Sequence, residues 1–166
     1  AQIALEQAEA ALAQTVREAA IRPKRADVMH PQRVMVTSAV PGEGKTFCAL
    51  NLAIGIAIAS EHPVLFVDVD VVRRSATSLI GMSKSKGTME FLKGVEPIAS
   101  KLVRPTQFPN LKLLPAGTTE DQAGRFLATK QMEAFLDQLS ADFPTSIIVI
   151  DAPPLLTTGP AHPLLP

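Results

Sequence analysis

The stretch Val34-Met-Val-Thr-Ser-Ala-Val-Pro-Gly-Glu-Gly-Lys-Thr-Phe47 constrains the chain more than any other part of it. Val34, Met35 and Val36 read as a short buried strand over 34–38. The chain then turns through Pro41, Gly42 and Gly44, and Lys45-Thr46 opens a long apolar helix over 45–59. Glycines in such a turn let backbone N–H groups face phosphate oxygens. The helix N-terminus adds partial positive charge, a lysine reaches the β- and γ-phosphates, and the threonine hydroxyl can ligate Mg²⁺. The expected phosphate-contacting set is Pro41, Gly42, Glu43, Gly44, Lys45, Thr46 and Phe47. The strict pattern places a glycine five residues before Gly44, where this chain has Ala39.

Two further apolar runs end in acids. Pro63-Val-Leu-Phe-Val-Asp-Val-Asp70 and Ser146-Ile-Ile-Val-Ile-Asp151 both read as central parallel strands, and ligands bind at the carboxyl ends of such strands. Asp68 and Asp70 alternate along the first run, so they start on one face and can converge on one site. One would activate a metal and the other serve as base for an incoming nucleophile; Asp68, nearer the apolar run, is the expected catalytic residue and is also counted with Thr46 and Asp151 in the expected metal set. Asp151 is the expected second anchor for Mg²⁺ beside Thr46, although a strand-end aspartate can also simply cap the turn that Pro153-Pro154 demands. Arg73 and Arg74 could neutralise phosphate charge, pair with these acids, or form surface salt bridges.

Around these segments the pattern is strand–helix repeated. Ala1–Ile21 reads as an alanine-rich helix, followed by a basic linker, Arg22-Pro-Lys-Arg25, that ends near Pro31. Residues 1–32 are therefore expected to form an N-terminal helix and linker, and 33–166 one nucleotide-binding domain. Short helices are expected over 73–80 and 88–93, with Thr88 as a cap, and a longer one over 129–139. Leu111-Lys-Leu-Leu114 reads as a strand before the Pro115-Ala-Gly117 turn. The fold class expected is α/β, a parallel sheet with helices on both faces. Only four strands are readable, which leaves the sheet short of its C-terminal strands, so the domain is expected to be incomplete at that end.

Composition narrows the function classes. With 166 residues the chain suits one domain, and 16 basic against 16 acidic residues give it no overall charge to draw it to nucleic acid. No secretory leader is visible at the start, and the longest apolar stretch, 47–59, is too short to span a bilayer. A cytoplasmic setting is expected, with the single cysteine, Cys48, as a small core residue. His30, His62 and His162 have no ligand spacing, so no metal site made by side chains alone is expected.

Ser38-Ala-Val-Pro-Gly-Glu-Gly-Lys-Thr46, Val67-Asp-Val-Asp-Val-Val-Arg73 and Ile148-Val-Ile-Asp-Ala-Pro-Pro154 resemble the Walker A, Walker A′ and Walker B motifs of the bacterial tyrosine kinases (BY-kinases) of capsule and exopolysaccharide synthesis. The segment Leu113-Leu-Pro-Ala-Gly117 is similar to a further stretch of that family. The Asp-x-Asp-x-x-Arg spacing with Ser75 resembles its exosortase-associated branch. The resemblance covers roughly Arg33 to Leu156, four motifs in order, and accounts for Ala39, since the family does not keep the first glycine.

It implies a P-loop fold binding ATP and Mg²⁺ and passing phosphate to a tyrosine of a protein substrate. Lys45 would stabilise the phosphates, Thr46 and Asp151 would hold Mg²⁺, Asp68 would activate the tyrosine hydroxyl, and Asp70 would support the metal and water network. It also implies a membrane adaptor of the polysaccharide export machinery, peripheral placement at the inner membrane through that adaptor, and assembly into homo-oligomers. Three features depart from the family: the chain has no tyrosine, the Glu-x-x-Arg-x-x-Arg helix is not readable in 1–25, and Arg74 stands where a proline is common. Two alternatives stay open. One is a ParA/MinD-like ATPase switch, although such proteins carry a signature lysine where this chain has Val40. The other is a non-catalytic nucleotide-binding regulator of polysaccharide export.

Overall fold

The computed structural model describes residues 32–118, 123–127 and 129–156. The expected helix over 1–21 and its linker lie outside these residues, as does the tail after Leu156. Four strands, β1 (Gln32–Val36), β2 (Val64–Asp68), β4 (Leu111–Leu114) and β5 (Ile147–Asp151), form a parallel sheet, and a short fifth strand, β3 (Arg104–Pro105), adds antiparallel to β4. The spatial order is β1-β5-β2-β4-β3. The sheet is therefore mixed at one edge and has one more strand than the four readable runs. A two-residue strand containing a proline has no alternation to detect and sits where proline is tolerated, at the edge.

The helices are α1 (Lys45–Ala59), α2 (Ser75–Leu79), α3 (Thr88–Leu92) and α4 (Lys130–Asp142), with 3₁₀ turns at Ala99–Leu102 and Ala123–Phe126. The period of two along each strand divides the interior into two layers. Val64, Phe66, Leu111, Leu113 and Val149 meet Ala49, Leu50, Ala53 and Ile56 of α1 on one face. Leu65, Val67, Leu114, Ile148 and Ile150 meet Met89, Leu92, Met132, Phe135 and Leu139 of α3 and α4 on the other. Helices thus cover both faces, as the alternation of elements requires.

Several local expectations change. The acid-ending run leaves the sheet at Asp68, so Asp70 lies beyond β2. The helix after it is shorter than 73–80, because Arg74 takes a left-handed conformation (φ 55°) immediately before Ser75. Thr88 is the first residue of α3 and not its cap; Gly87 holds that position, and the Thr88 hydroxyl instead donates to the Asp68 and Pro115 carbonyls at 2.8 and 3.3 Å. Helix α1 is not enclosed on all sides: Phe47 and Ile58 are 68% and 69% exposed. Cys48 is exposed and is not a core residue. A helix apolar nearly all round gives no clue to which side the sheet will cover.

Candidate active site at the carboxyl ends of β1, β2 and β5

The loop between β1 and α1 enters the helix through Gly44 at φ 84° and ψ 11°, with Gly42 also at positive φ. A side chain added at either would meet no atom within 4 Å, so what these glycines supply is backbone conformation. Gly44 offers no side-chain cap, so the amides of the first helical turn face outward without one. Glu43 closes the loop on itself, accepting a hydrogen bond from the Val40 amide at 3.1 Å. Gly42, Glu43, Gly44 and Phe47 are exposed, and Pro41 and Thr46 are half-buried.

Lys45 and Thr46 start α1, and register brings the acids to them. Asp68 is paired with Asp151 in the sheet, both on the strand face that packs against α1. The Thr46 hydroxyl donates to Asp151 Oδ2 at 2.8 Å. Lys45 Nζ donates to Asp70 Oδ2 at 2.7 Å and to Thr46 Oγ1 at 3.2 Å, and lies 3.6 Å from Asp151 Oδ1. Lys45, Thr46, Asp70 and Asp151 therefore form one contact group. It is deeply set: Asp70 and Asp151 have no exposed surface and Lys45 retains 8%.

Asp68 lies on the same face but takes different partners. Its Oδ2 accepts hydrogen bonds from the Thr77 amide at 2.9 Å and the Thr77 hydroxyl at 2.7 Å, and its Oδ1 accepts from the Asp70 amide at 3.1 Å. The Thr77 hydroxyl in turn accepts from the Ala116 amide at 2.7 Å. Asp68 is fully buried, and burial pushes its carboxyl up from 3.8 to about 7, against the Thr77 hydrogen bonds that favour the charged form; the neighbouring Asp151 and Asp70 charges push it the same way as burial. Asp151 is also raised, first by burial, with the Thr46 hydrogen bond and the Lys45 charge opposing.

The Arg73 amide donates to Asp70 Oδ1 at 3.1 Å, and the Arg74 guanidinium donates to the Ser83 carbonyl. Thr77 and Thr88, which fix the side chain and carbonyl of Asp68, were not among the expected site residues. The first contact spans nine positions and the second twenty, with no local sequence signal for either.

Among the described residues no group of three or more His, Cys, Asp or Glu could hold a metal ion. A cation here would draw on phosphate and water as well. Asp151 Oδ1 is buried and accepts no hydrogen bond, and the Thr46 hydroxyl lies beside the other oxygen of the same carboxylate. Such an all-oxygen pair is of the kind a hard divalent cation takes.

A glycine turn delivering lysine and threonine to acids at the ends of parallel strands defines a P-loop nucleotide-binding domain. A family model described as "AAA domain" (AAA_31) matches residues 32–162, and the chain belongs to that family. It is 27% identical over 128 residues to the tyrosine-protein kinase etk of Escherichia coli K12, covering 77% of this chain and 17% of that protein. It is 32% identical over 126 residues to the tyrosine-protein kinase CpsD of Streptococcus pneumoniae serotype 4, covering 74% of this chain and 52% of that one. Among solved structures, the VpsO kinase domain superposes with a TM-score of 0.73 at 26% identity, over 95% of this chain and 75% of that chain.

The resemblance to the bacterial tyrosine kinases is thus shown. The chain spans 17% of the length of the first curated relatives it matches. A MinC:MinD complex from Aquifex aeolicus shares the fold alone, with a TM-score of 0.61 at 20% identity over 77% of this chain and 50% of that chain. No helix among the described residues is long and apolar enough to cross a membrane.

Proposed function

We propose that this chain is the ATP-dependent phosphoryl-transfer domain of a protein-tyrosine kinase that regulates exopolysaccharide or capsule synthesis and export. What carries the reading is the likeness to the VpsO kinase domain over nearly the full chain, joined to the Lys45–Thr46–Asp70–Asp151 contact group. The acceptor tyrosine lies outside these 166 residues, which contain none.

In this reading the 41–47 loop binds the triphosphate of ATP, with first-turn amides and Lys45 opposing its charge. Lys45, held by Asp70 in the ligand-free protein, would turn to a phosphate oxygen. Thr46 and Asp151 would hold Mg²⁺, which would supply neutralisation of the phosphate charge when bound. Asp68, raised to about 7, is poised near neutral pH to take the proton of the tyrosine hydroxyl. Having no exposed surface, it meets that hydroxyl only after the residues covering it shift. Asp70 positions Lys45. The domain works at the cytoplasmic side of the inner membrane, alongside an adaptor of the export apparatus and further copies of itself.

The test is incubation with labelled ATP, Mg²⁺ and a tyrosine-rich peptide, with Lys45→Met as control. Label on the peptide that disappears in the variant is the expected result. Phosphate release without peptide label would replace the kinase with an ATPase switch, and nucleotide binding without either would leave a regulator.

A further inference from the structure

Between Asp70 and Glu90 the chain carries no acid and four cations, Arg73, Arg74, Lys84 and Lys86, in a protein whose 16 basic and 16 acidic residues otherwise balance. The fold ties this segment to the candidate site. The Arg73 amide donates to Asp70 Oδ1, and the Arg74 guanidinium donates to the carbonyl of Ser83, next to Lys84. The Met82 amide donates at 2.9 Å to the carbonyl of Thr77, the residue that grips Asp68, and the Ser85 amide donates at 2.9 Å to Met82. The lysine-bearing loop is thus anchored one residue from the Asp68 carboxylate.

Arg73, Lys84 and Lys86 are exposed. Among the described residues Arg33, Lys45 and Lys101 are ion-paired, whereas no ion pair joins Arg73, Lys84 or Lys86. Two large apolar side chains in the same segment, Val72 and Leu79, are 51% and 68% exposed. Unpaired cations interspersed with exposed apolar groups fit a ligand carrying acids around an aromatic ring, because charge steers the encounter and the apolar groups take the ring.

We infer that the Arg73–Lys86 segment is the acceptor-docking surface and that it takes an acidic, tyrosine-bearing peptide. The tyrosine rests on the kinase reading above; the acidic flanks rest on the charge of the segment alone. An anionic membrane would also be drawn to these cations, but the bonds from the Arg73 amide to Asp70 and from Thr77 to Asp68 tie the segment to the phosphoryl-transfer residues, which favours the peptide.

The test reads binding, so it does not depend on transfer. Fluorescence anisotropy compares a labelled peptide with glutamates around one tyrosine against the same peptide with glutamines, using wild type, Lys84→Glu/Lys86→Glu and the milder Lys84→Gln/Lys86→Gln. Wild type is expected to favour the acidic peptide about tenfold or more at low salt, with the preference shrinking as salt is added. Both variants are expected to lose most of that preference while keeping the wild-type melting temperature and Mg·ATP affinity. Equal binding of the two peptides by wild type, or an undiminished preference in the folded variants, overturns the inference. So does co-sedimentation with phosphatidylserine vesicles that needs Lys84 and Lys86 without any peptide preference. Peptide preference without phosphate transfer would keep this surface and remove the kinase reading; transfer without preference would do the reverse.

Discussion

Two glycine-dependent regions flank the acids; both use positive φ, at Gly42, Gly44 and Gly117, but only the second is also crowded. In the phosphate loop, Gly42 and Gly44 have positive φ and open space around them. Where α3 meets the 115–118 turn, a side chain at Gly87 would come within 1.9 Å of the Pro115 carbonyl oxygen, and one at Gly117 within 2.4 Å of a Glu90 oxygen. The same turn is closed by Glu90, which accepts hydrogen bonds from the Gly87 amide at 2.6 Å and from the Thr118 amide and hydroxyl at 3.2 and 2.6 Å. The first region is shaped to leave room for a ligand. The second is packed to hold the chain behind Asp68. A substitution in the loop should therefore register in nucleotide binding, and one in the clamp in stability.

The largest effect is expected from Gly87→Ala. The added methyl collides with backbone that cannot yield, which exceeds the ~1–3 kcal/mol usual for overpacking, so the protein should fail to give a cooperative thermal transition. A normal melting curve would break the comparison.

Next comes the pH dependence of the ligand-free protein. The folded state keeps the Asp68 proton up to about 7 and the unfolded chain releases it near 3.8. The stability contributed by this group is therefore full below about pH 4 and declines as pH rises through about 7, by on the order of 4 kcal/mol as an upper limit. Thr77→Val removes a bond to the charged form and should extend the decline to higher pH, whereas Thr77→Ser should preserve the wild-type profile; urea midpoints measured against pH decide this.

Glu90→Gln replaces one accepting oxygen with a donor facing amide or hydroxyl hydrogens. It should cost about 1–3 kcal/mol in urea unfolding while ATP affinity stays as in wild type.

The smallest stability change is expected from Gly44→Ala. Left-handed backbone without a clash costs about 1–2 kcal/mol, yet the altered loop should lower ATP affinity well beyond that of Glu90→Gln, read by calorimetric titration.

Much of this contrast was legible from one side only. The loop announced itself because its chemistry is local: glycine, lysine and threonine are consecutive, and α1 spans the expected 45–59. Strand-end acids were equally plain, since apolar runs closing in aspartate can be read residue by residue. That Asp70 would take Lys45 while Asp68 turned to Thr77 depends on where β2 stops and how the chain bends at Arg74, which alternation does not encode. The clamp at Gly87, Glu90, Gly117 and Thr118 joins residues up to 28 positions apart, and each taken alone looks like ordinary turn chemistry. Cys48 was misplaced because a helix apolar on nearly every side hides its covered face.

The central claim is that the group around Lys45 is a triphosphate site while the clamp behind it is scaffold. Calorimetric titration of Mg·ATP into wild type, Glu90→Gln and Lys45→Met tests it most directly. Binding is expected in the first two with matching affinity and its loss in the third; equal affinity in Lys45→Met, or loss in a folded Glu90→Gln, would contradict it.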